Sequence, residues 1–191
     1  IYLVDQPGAA QSVIRVLQST IPRNHPDYFG LTLVNYVFGG QFSARLNQNL
    51  RQDKGYSYGY QSSVHWYQGT SLVSAGGSVQ TEVTKESVQE TLKEFREIQG
   101  DRPITEEERS GMVLNPLIQL LVFDLPDDYF QSVGPGITAV SLKDVHRVAA
   151  ERIQTDKLQL LVVGDREKIE PGLRELGIPM VLLDADGARI G

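Results

Sequence analysis

The chain has 191 residues, of which 40% are hydrophobic and 22% charged, the balance of an ordinary folded protein and the size of a single domain. Lys and Arg number 18 against 24 Asp and Glu, a net charge of −6, which counts against nucleic acid or an anionic membrane as partner, because both bind through basic side chains. There is no cysteine, which excludes disulfides, thiolate metal sites and a cysteine nucleophile. No apolar run approaches the roughly 18 residues that span a bilayer.

Two apolar stretches open the chain, Ile1 to Val4 and Ser12 to Leu17, with Gln6-Pro7-Gly8 between them. The second is rich in β-branched side chains, which suit a pleated surface. The first has no basic residues before it and reads as a strand, not a signal peptide, as if the chain began in the middle of structure. From Pro26 to Phe38, Phe29, Leu31, Leu33, Val34 and Val37 recur at helical spacing, with Pro26 suited to the first turn. Gly39-Gly40 ends that helix, and Ser43 is placed to cap a second one running to about Lys54.

Tyr56 to Tyr67 and Ser71 to Val79 alternate as the two strands of a hairpin, turning at Gln68-Gly69. A helix follows from Thr84 to Ile98, with Val88, Leu92 and Phe95 on one face. Another opens at Thr105, whose spacing to Glu108 is that of a capping box. Gly111 and Pro116 interrupt it, so a kink is expected near Asn115. Asp127 to Val133, Ser141 to Ile153 and Glu167 to Leu176 read as helices, and Lys157 to Val163 and Pro179 to Leu183 as strands.

The order predicts one α+β domain over residues 1–191, with a mainly antiparallel sheet and the helices chiefly on one face. Strands joined by short turns pair antiparallel, and clustered helices cover one side. The glycine-rich first turn and strict strand–helix alternation of a doubly wound nucleotide fold are missing.

The sequence holds three histidines, His25, His65 and His146. No two lie one helical turn apart, as a zinc-binding helix requires, and they read as ordinary surface or half-buried side chains. Gly164-Asp165 and Asp184-Ala185-Asp186-Gly187 read as turns, because the second lacks the acidic positions of a calcium loop. Glu106, Glu107 and Glu108 read as a solvated helix start that complements the dipole. No serine has a histidine partner in a local motif. The densest stretch runs from Gly39 to Gly59, where the Gly39-Gly40 pair, two arginines and two tyrosines surround a short helix and a strand entry. Arg51 and Tyr58 could both face one cleft. Equally, they could be a helix-capping arginine and an aromatic on a half-buried strand.

Asn35, then Gly39-Gly40-x-Phe42-Ser43-x-Arg45-Leu46, then Leu50-Arg51 with Gly55 and Tyr58, resembles the signature of the pitrilysin family of zinc peptidases, which includes the insulinases and the mitochondrial processing peptidases. The order of elements over essentially the whole chain also resembles one α+β half-subunit of that LuxS/pitrilysin type. Family members carry zinc on an inverted His-x-x-Glu-His motif in one half, while the metal-free carboxy-terminal half supplies an Arg and a Tyr to the substrate. That motif is absent from this sequence, so the resemblance is to the metal-free half, and the family's Arg and Tyr fall on Arg51 and Tyr58. Tyr56 departs from the pattern, which is often aliphatic there, and residues 111–115 are less typical.

The resemblance implies a half-enzyme that clamps a peptide and supports its transition state, inert alone. Its partner would be a zinc-bearing half or subunit in a homo- or heterodimer, with the zinc held by that partner and none by this chain. The alternative is a structural or interaction subunit of the same fold, like the core proteins of respiratory complexes. The compartment stays open between a bacterial periplasm or envelope, by family precedent, and the cytoplasm. Metal analysis of the purified chain should find no stoichiometric zinc. One tight zinc per chain, lost on replacing His25, His65 or His146, would sink the metal-free reading.

Overall fold

In the computed structural model, which describes residues 1–111 and 133–190, the sheet begins with β1 (Tyr2–Asp5) and β2 (Gln11–Thr20). Along β2, Ser12, Ile14, Val16 and Gln18 are buried while Gln11, Val13 and Arg15 are exposed. One face is therefore covered and the other open, as the period of two in a strand dictates. The remaining strands are β3 (Ser57–His65), β4 (Ser71–Gln80), β5 (Gln159–Gly164) and β6 (Val181–Leu183). Their order is β3-β4-β2-β5-β1-β6. The β3–β4, β4–β2 and β2–β5 pairs are antiparallel, and β1 runs parallel to both β5 and β6. The expected α+β class and mainly antiparallel sheet hold, with a parallel end that the sequence does not announce.

The helices are α1 (Tyr28–Phe38), α2 (Arg45–Asn47), α3 (Thr84–Arg96), α4 (Val133–Ala139), α5 (Leu142–Arg152) and α6 (Arg166–Arg174). Two of them widen at their ends into π-helical turns, α2 over Gln48–Asp53 and α3 over Glu97–Asp101. A further helix starts at residue 106. The core lies between these helices and the covered face, where Ile14, Val16, Leu50, Val79, Phe95 and Val162 are fully buried. Burying a side chain such as Phe95, whose ring centre is 4.5 Å from that of Phe38, contributes about 2–3 kcal/mol. Gly30 on α1 lets α5 approach closely, because a Cβ there would meet a Val148 methyl at 2.8 Å.

Several local expectations need correction. β1 and β2 are not neighbours: β5 lies between them, with Val163 in register with Val4 on one side and Val13 on the other. Leu160, Leu161, Val162 and Val163 are consecutive apolar residues, and a central position pairs both edges of that strand, with Leu160 and Val162 buried in the core and Leu161 and Val163 half-buried on the open face. Pro26 precedes the N-cap Asp27 and so lies outside α1. α2 is capped by the extended backbone of Ala44, while the Ser43 hydroxyl donates to Gln41 Oε1 at 3.0 Å. On α3 the buried stripe centres on Thr91, with Leu92 only half-buried. Thr91 Oγ1 bonds the Tyr60 hydroxyl at 2.8 Å, which satisfies both polar groups in the core. The Thr105–Glu108 capping box is present, and Ser141 and Asp144 form a second one on α5. The expected kink near Asn115 lies outside the described residues, as does the expected helix from Asp127 apart from its last residue.

Asp27 joins α1 to α5. Its buried carboxylate accepts from Arg147 Nη2 at 2.7 Å and from Arg152 at 2.5 and 2.9 Å. The Arg147 hydrogen bond, aided by Arg152 against the cost of burial, holds the Asp27 carboxyl down at about 2. A depressed carboxylate stabilises the fold above its unfolded value near 4 and loses that contribution as the pH falls toward 2. Because Arg147 is largely solvated, the contribution at pH 7 is about 1–2 kcal/mol. Asp27→Asn should therefore lower stability by that amount in urea titrations at pH 7, and the gap to wild type should narrow steadily between pH 4 and pH 2. A gap independent of pH would remove the ion-pair account.

Candidate functional site

The stretch from Asn35 to Tyr60 builds the β3 end of the sheet, and most of its polar groups are consumed in doing so. α1 ends where the Asn35 carbonyl accepts from the amides of both Gly39 and Gly40. Gly39 lies so close to β3 that a Cβ would meet the Ser62 amide nitrogen at 2.5 Å, which is why only glycine fits. The Gly39 carbonyl accepts from that amide at 2.9 Å, and Asn35 Oδ1 accepts from the Ser62 hydroxyl at 2.8 Å. Asn47, 1% exposed, spans the next gap. Its Nδ2 donates to the Phe42 carbonyl at 2.6 Å and its Oδ1 accepts from the Tyr60 amide at 3.2 Å.

Arg45, 7% exposed, is used in the same way. Nε and Nη2 donate to the two Glu108 oxygens at 2.8 and 2.7 Å, Nη1 donates to the Arg102 carbonyl at 2.6 Å, and Nη2 also reaches the Pro103 carbonyl at 3.2 Å. Burial raises the Glu108 pKa, but Arg45 and the Thr105 amide outweigh it and hold the carboxylate below its ordinary range. Glu108 is thus a structural ion-pair partner and not a solvated helix start, whereas Glu106 and Glu107 remain exposed. Beside Arg45 lies a cleft of about 430 Å³ between the π-helical turn of α2 and α3. Its carboxylates are already paired: Glu94 with Arg102 and Asn49, Glu90 with Lys54 and Asn49, Glu97 with Arg102.

Arg51 and Tyr58 are the exceptions. Arg51 sits in the last turn of the π-helical segment, and among the described residues its guanidinium has no hydrogen-bond partner. It does not cap a carbonyl, and instead its Cζ lies 4.4 Å from the centre of the Phe42 ring. Tyr58 is 89% exposed because β3 is bulged. Ser57 pairs with Val79 and Tyr60 with Gly77, so Tyr58 and Gly59 together face Ser78. With Ser57 and Tyr60 both turned under the helices, the bulge leaves Tyr58 outside. Bulges re-aim side chains in this way. The Ser57 hydroxyl holds it, accepting from the Gly59 amide at 3.1 Å and donating to the Ser78 carbonyl at 2.7 Å. Tyr60, by contrast, is fully buried, and its phenol is pushed well above the ordinary tyrosine range by that burial. Arg51 and Tyr58 therefore flank the same helix-to-strand junction, without a hydrogen bond between them among the described residues. The alternation of residues 56–67 hid the bulge, although Ser57 and Gly59 around Tyr58 mark where it falls.

Among the described residues no group of three His, Asp or Glu side chains could hold a metal ion. His25 Nδ1 accepts from the Asp27 amide at 3.0 Å, His65 Nε2 contacts the Ser63 hydroxyl at 3.1 Å, and His146 Nε2 donates to the Ile104 carbonyl at 2.6 Å. The donor set does not fit zinc. Asp184 Oδ1 accepts from the amides of Asp186 and Ala188, and Asp165 Oδ2 from that of Gly8, so both aspartates serve turns. No described helix is long and apolar enough to cross a membrane.

Residues 1–113 match the peptidase M16 inactive domain. The chain belongs to that family. Over 71 residues, 36% of this chain and 17% of the relative, it is 34% identical to an uncharacterized zinc protease, YmxG, of Bacillus subtilis. Its fold is similar to that of a peptidase M16 inactive domain from Pseudomonas fluorescens, with a TM-score of 0.75 at 19% identity over 85% of this chain and 42% of the other. A chain of complex III2 from Candida albicans, bound to Inz-5, shares the fold with a TM-score of 0.68 at 12% identity, over 92% of this chain and 48% of that one. The chain spans less than half the length of these proteins. Membership of the inactive-domain family agrees with the metal-free half read from Gly39 to Tyr58.

The two arginines of the motif should separate in a stability measurement. Arg45→Ala leaves Glu108 and two carbonyls without their donor and should cost about 3 kcal/mol. Arg51→Ala removes one cation–aromatic contact together with an unpartnered buried nitrogen and should stay within about 0.5–1 kcal/mol. Equal losses in denaturant titrations would contradict this division of labour.

Proposed function

We propose that residues 1–191 form one substrate-binding half of a zinc-dependent metalloendopeptidase, in which Arg51 and Tyr58 hold a peptide and support its transition state. The zinc would belong to a His-x-x-Glu-His half or subunit assembled with this one, and would there supply Lewis-acid polarisation of the scissile carbonyl and an activated water. The observation that carries the reading is the contrast within one motif. Asn35, Gly39 and Asn47 are spent on closing the sheet edge and Arg45 on Glu108, while Arg51 keeps its donors unpaired and a bulge turns Tyr58 into solvent. A fold that needed these two side chains only for stability would bury or pair them.

The Tyr58 hydroxyl donates to the oxygen that becomes negative as the carbonyl turns tetrahedral, and the Arg51 guanidinium binds a carbonyl or carboxylate of the peptide beside it. Family membership and the name of the Bacillus relative support a peptidase context. A purely structural subunit of this fold is the second reading, and it requires neither group to touch a peptide.

The two are separated by reconstituting variants with the zinc-bearing half and following peptide hydrolysis. Tyr58→Phe keeps the ring and should lower kcat on the order of 10²-fold, the loss typical of one oxyanion donor. Arg51→Ala should act mainly on KM, because its partner is bound in ground and transition states alike. Full activity of a well-folded Tyr58→Phe assembly would return the chain to the structural reading.

A further inference from the structure

Phe42 is an aromatic side chain left 62% exposed inside a segment whose other members are engaged in bonds. Its backbone is fixed, because the buried Asn47 carboxamide donates to its carbonyl while accepting from the Tyr60 amide just past the bulge. Its ring carries the Arg51 guanidinium, with Cζ 4.4 Å from the ring centre. A ring face attracts a cation without taking up any of its N–H donors, which lie in the guanidinium plane and point outward. A carboxylate in the same place would occupy two of them, as Glu108 does with Arg45. Nη1 of Arg51 is also already shielded from water without a partner, so that part of its desolvation falls on the free protein and not on ligand binding.

We propose that Phe42 is a positioning residue for Arg51: its ring holds the guanidinium at a set distance from Tyr58 while leaving Nε and Nη2 free for a peptide carbonyl or carboxylate. This rests on the substrate-binding reading above. Asn47 sets the distance, since one carboxamide ties the Phe42 shelf to the strand that carries Tyr58. The arrangement keeps Arg51 ordered before a peptide arrives and lowers the entropy cost of binding.

Two measurements test it. In the full chain, NMR should find the Arg51 side-chain Nε–H and δ protons shifted upfield by the Phe42 ring, and Phe42→Leu should abolish the shift without changing the fold, since the side chain is exposed. In the reconstituted peptidase, Phe42→Leu should raise KM about two- to fivefold, as expected for loss of one exposed cation–aromatic contact, with kcat little changed. Phe42→Tyr, which keeps the ring, should restore both shift and KM. In an Arg51→Ala background, Phe42→Leu should add nothing. No ring shift in the wild type, or a KM increase that persists undiminished without Arg51, overturns the positioning role. If Arg51→Ala raises KM while Phe42→Leu is silent, that role alone fails. If Arg51→Ala leaves KM unchanged, the substrate-binding reading itself fails.

Discussion

The outer edge of β3 is closed by two acceptors from the helical side, the Gly39 carbonyl on the Ser62 amide and the Asn47 carboxamide on the Tyr60 amide. An exposed edge strand would otherwise present these donors to any passing strand, a standing risk of aggregation. Closing the edge requires the end of α1 to touch β3, which only a glycine at position 39 permits. It also fixes Tyr60 beneath α3, where its hydroxyl meets Thr91. With Ser57 bonded across to Ser78 and Tyr60 locked inward, the two residues between them can only bulge outward. The exposure of Tyr58 is thus a consequence of how the edge is sealed.

The same constraint divides the charged residues into two kinds. Arg45, six positions before Arg51, is drawn into a bidentate pair and two carbonyl bonds that fasten α2 to residues 102–108. Such a buried cation is tolerable only when its donors are answered. Arg51 lies at the far end of the π-helical turn, against the Phe42 ring, where among the described residues no carboxylate meets it. Its Nη1 is shielded from water without a partner, a cost the fold carries beside an exposed tyrosine.

The mixed sheet ties this edge to the far end of the sequence. β5 enters between β1 and β2 and runs antiparallel to β2, so Val13 is in register with a residue 150 positions later, Val163. β2 in turn carries β4, and β4 carries β3. The junction at Gly39 to Tyr60 is therefore mounted on a sheet whose centre forms only when both ends of the chain come together. Such non-local pairing costs loop-closure entropy before any contact repays it. The likeness in fold to proteins that share at most 19% of their residues with this chain follows from what the sheet demands, a pattern of apolar positions more than particular side chains.

What the sequence determined by itself was local. The β-branched run of β2, the alternation of the hairpin, the helical spacing of α1 and α3, the capping box at Thr105 and the glycine pair after Phe38 all depend on residues within a turn or two of each other. The motif from Asn35 to Tyr58 was enough to point to the inactive half of a peptidase. The tertiary structure decided which elements became neighbours, because pairing of β5 along both its edges outweighed the hairpin that β1 and β2 would otherwise form. It decided that Ser43 does not cap α2, that Thr91 is fully buried while Leu92 is only half-buried, and that Glu108 binds Arg45. It also separated two arginines that look alike in sequence, since whether a guanidinium is saturated or left free depends on what the rest of the chain folds against it.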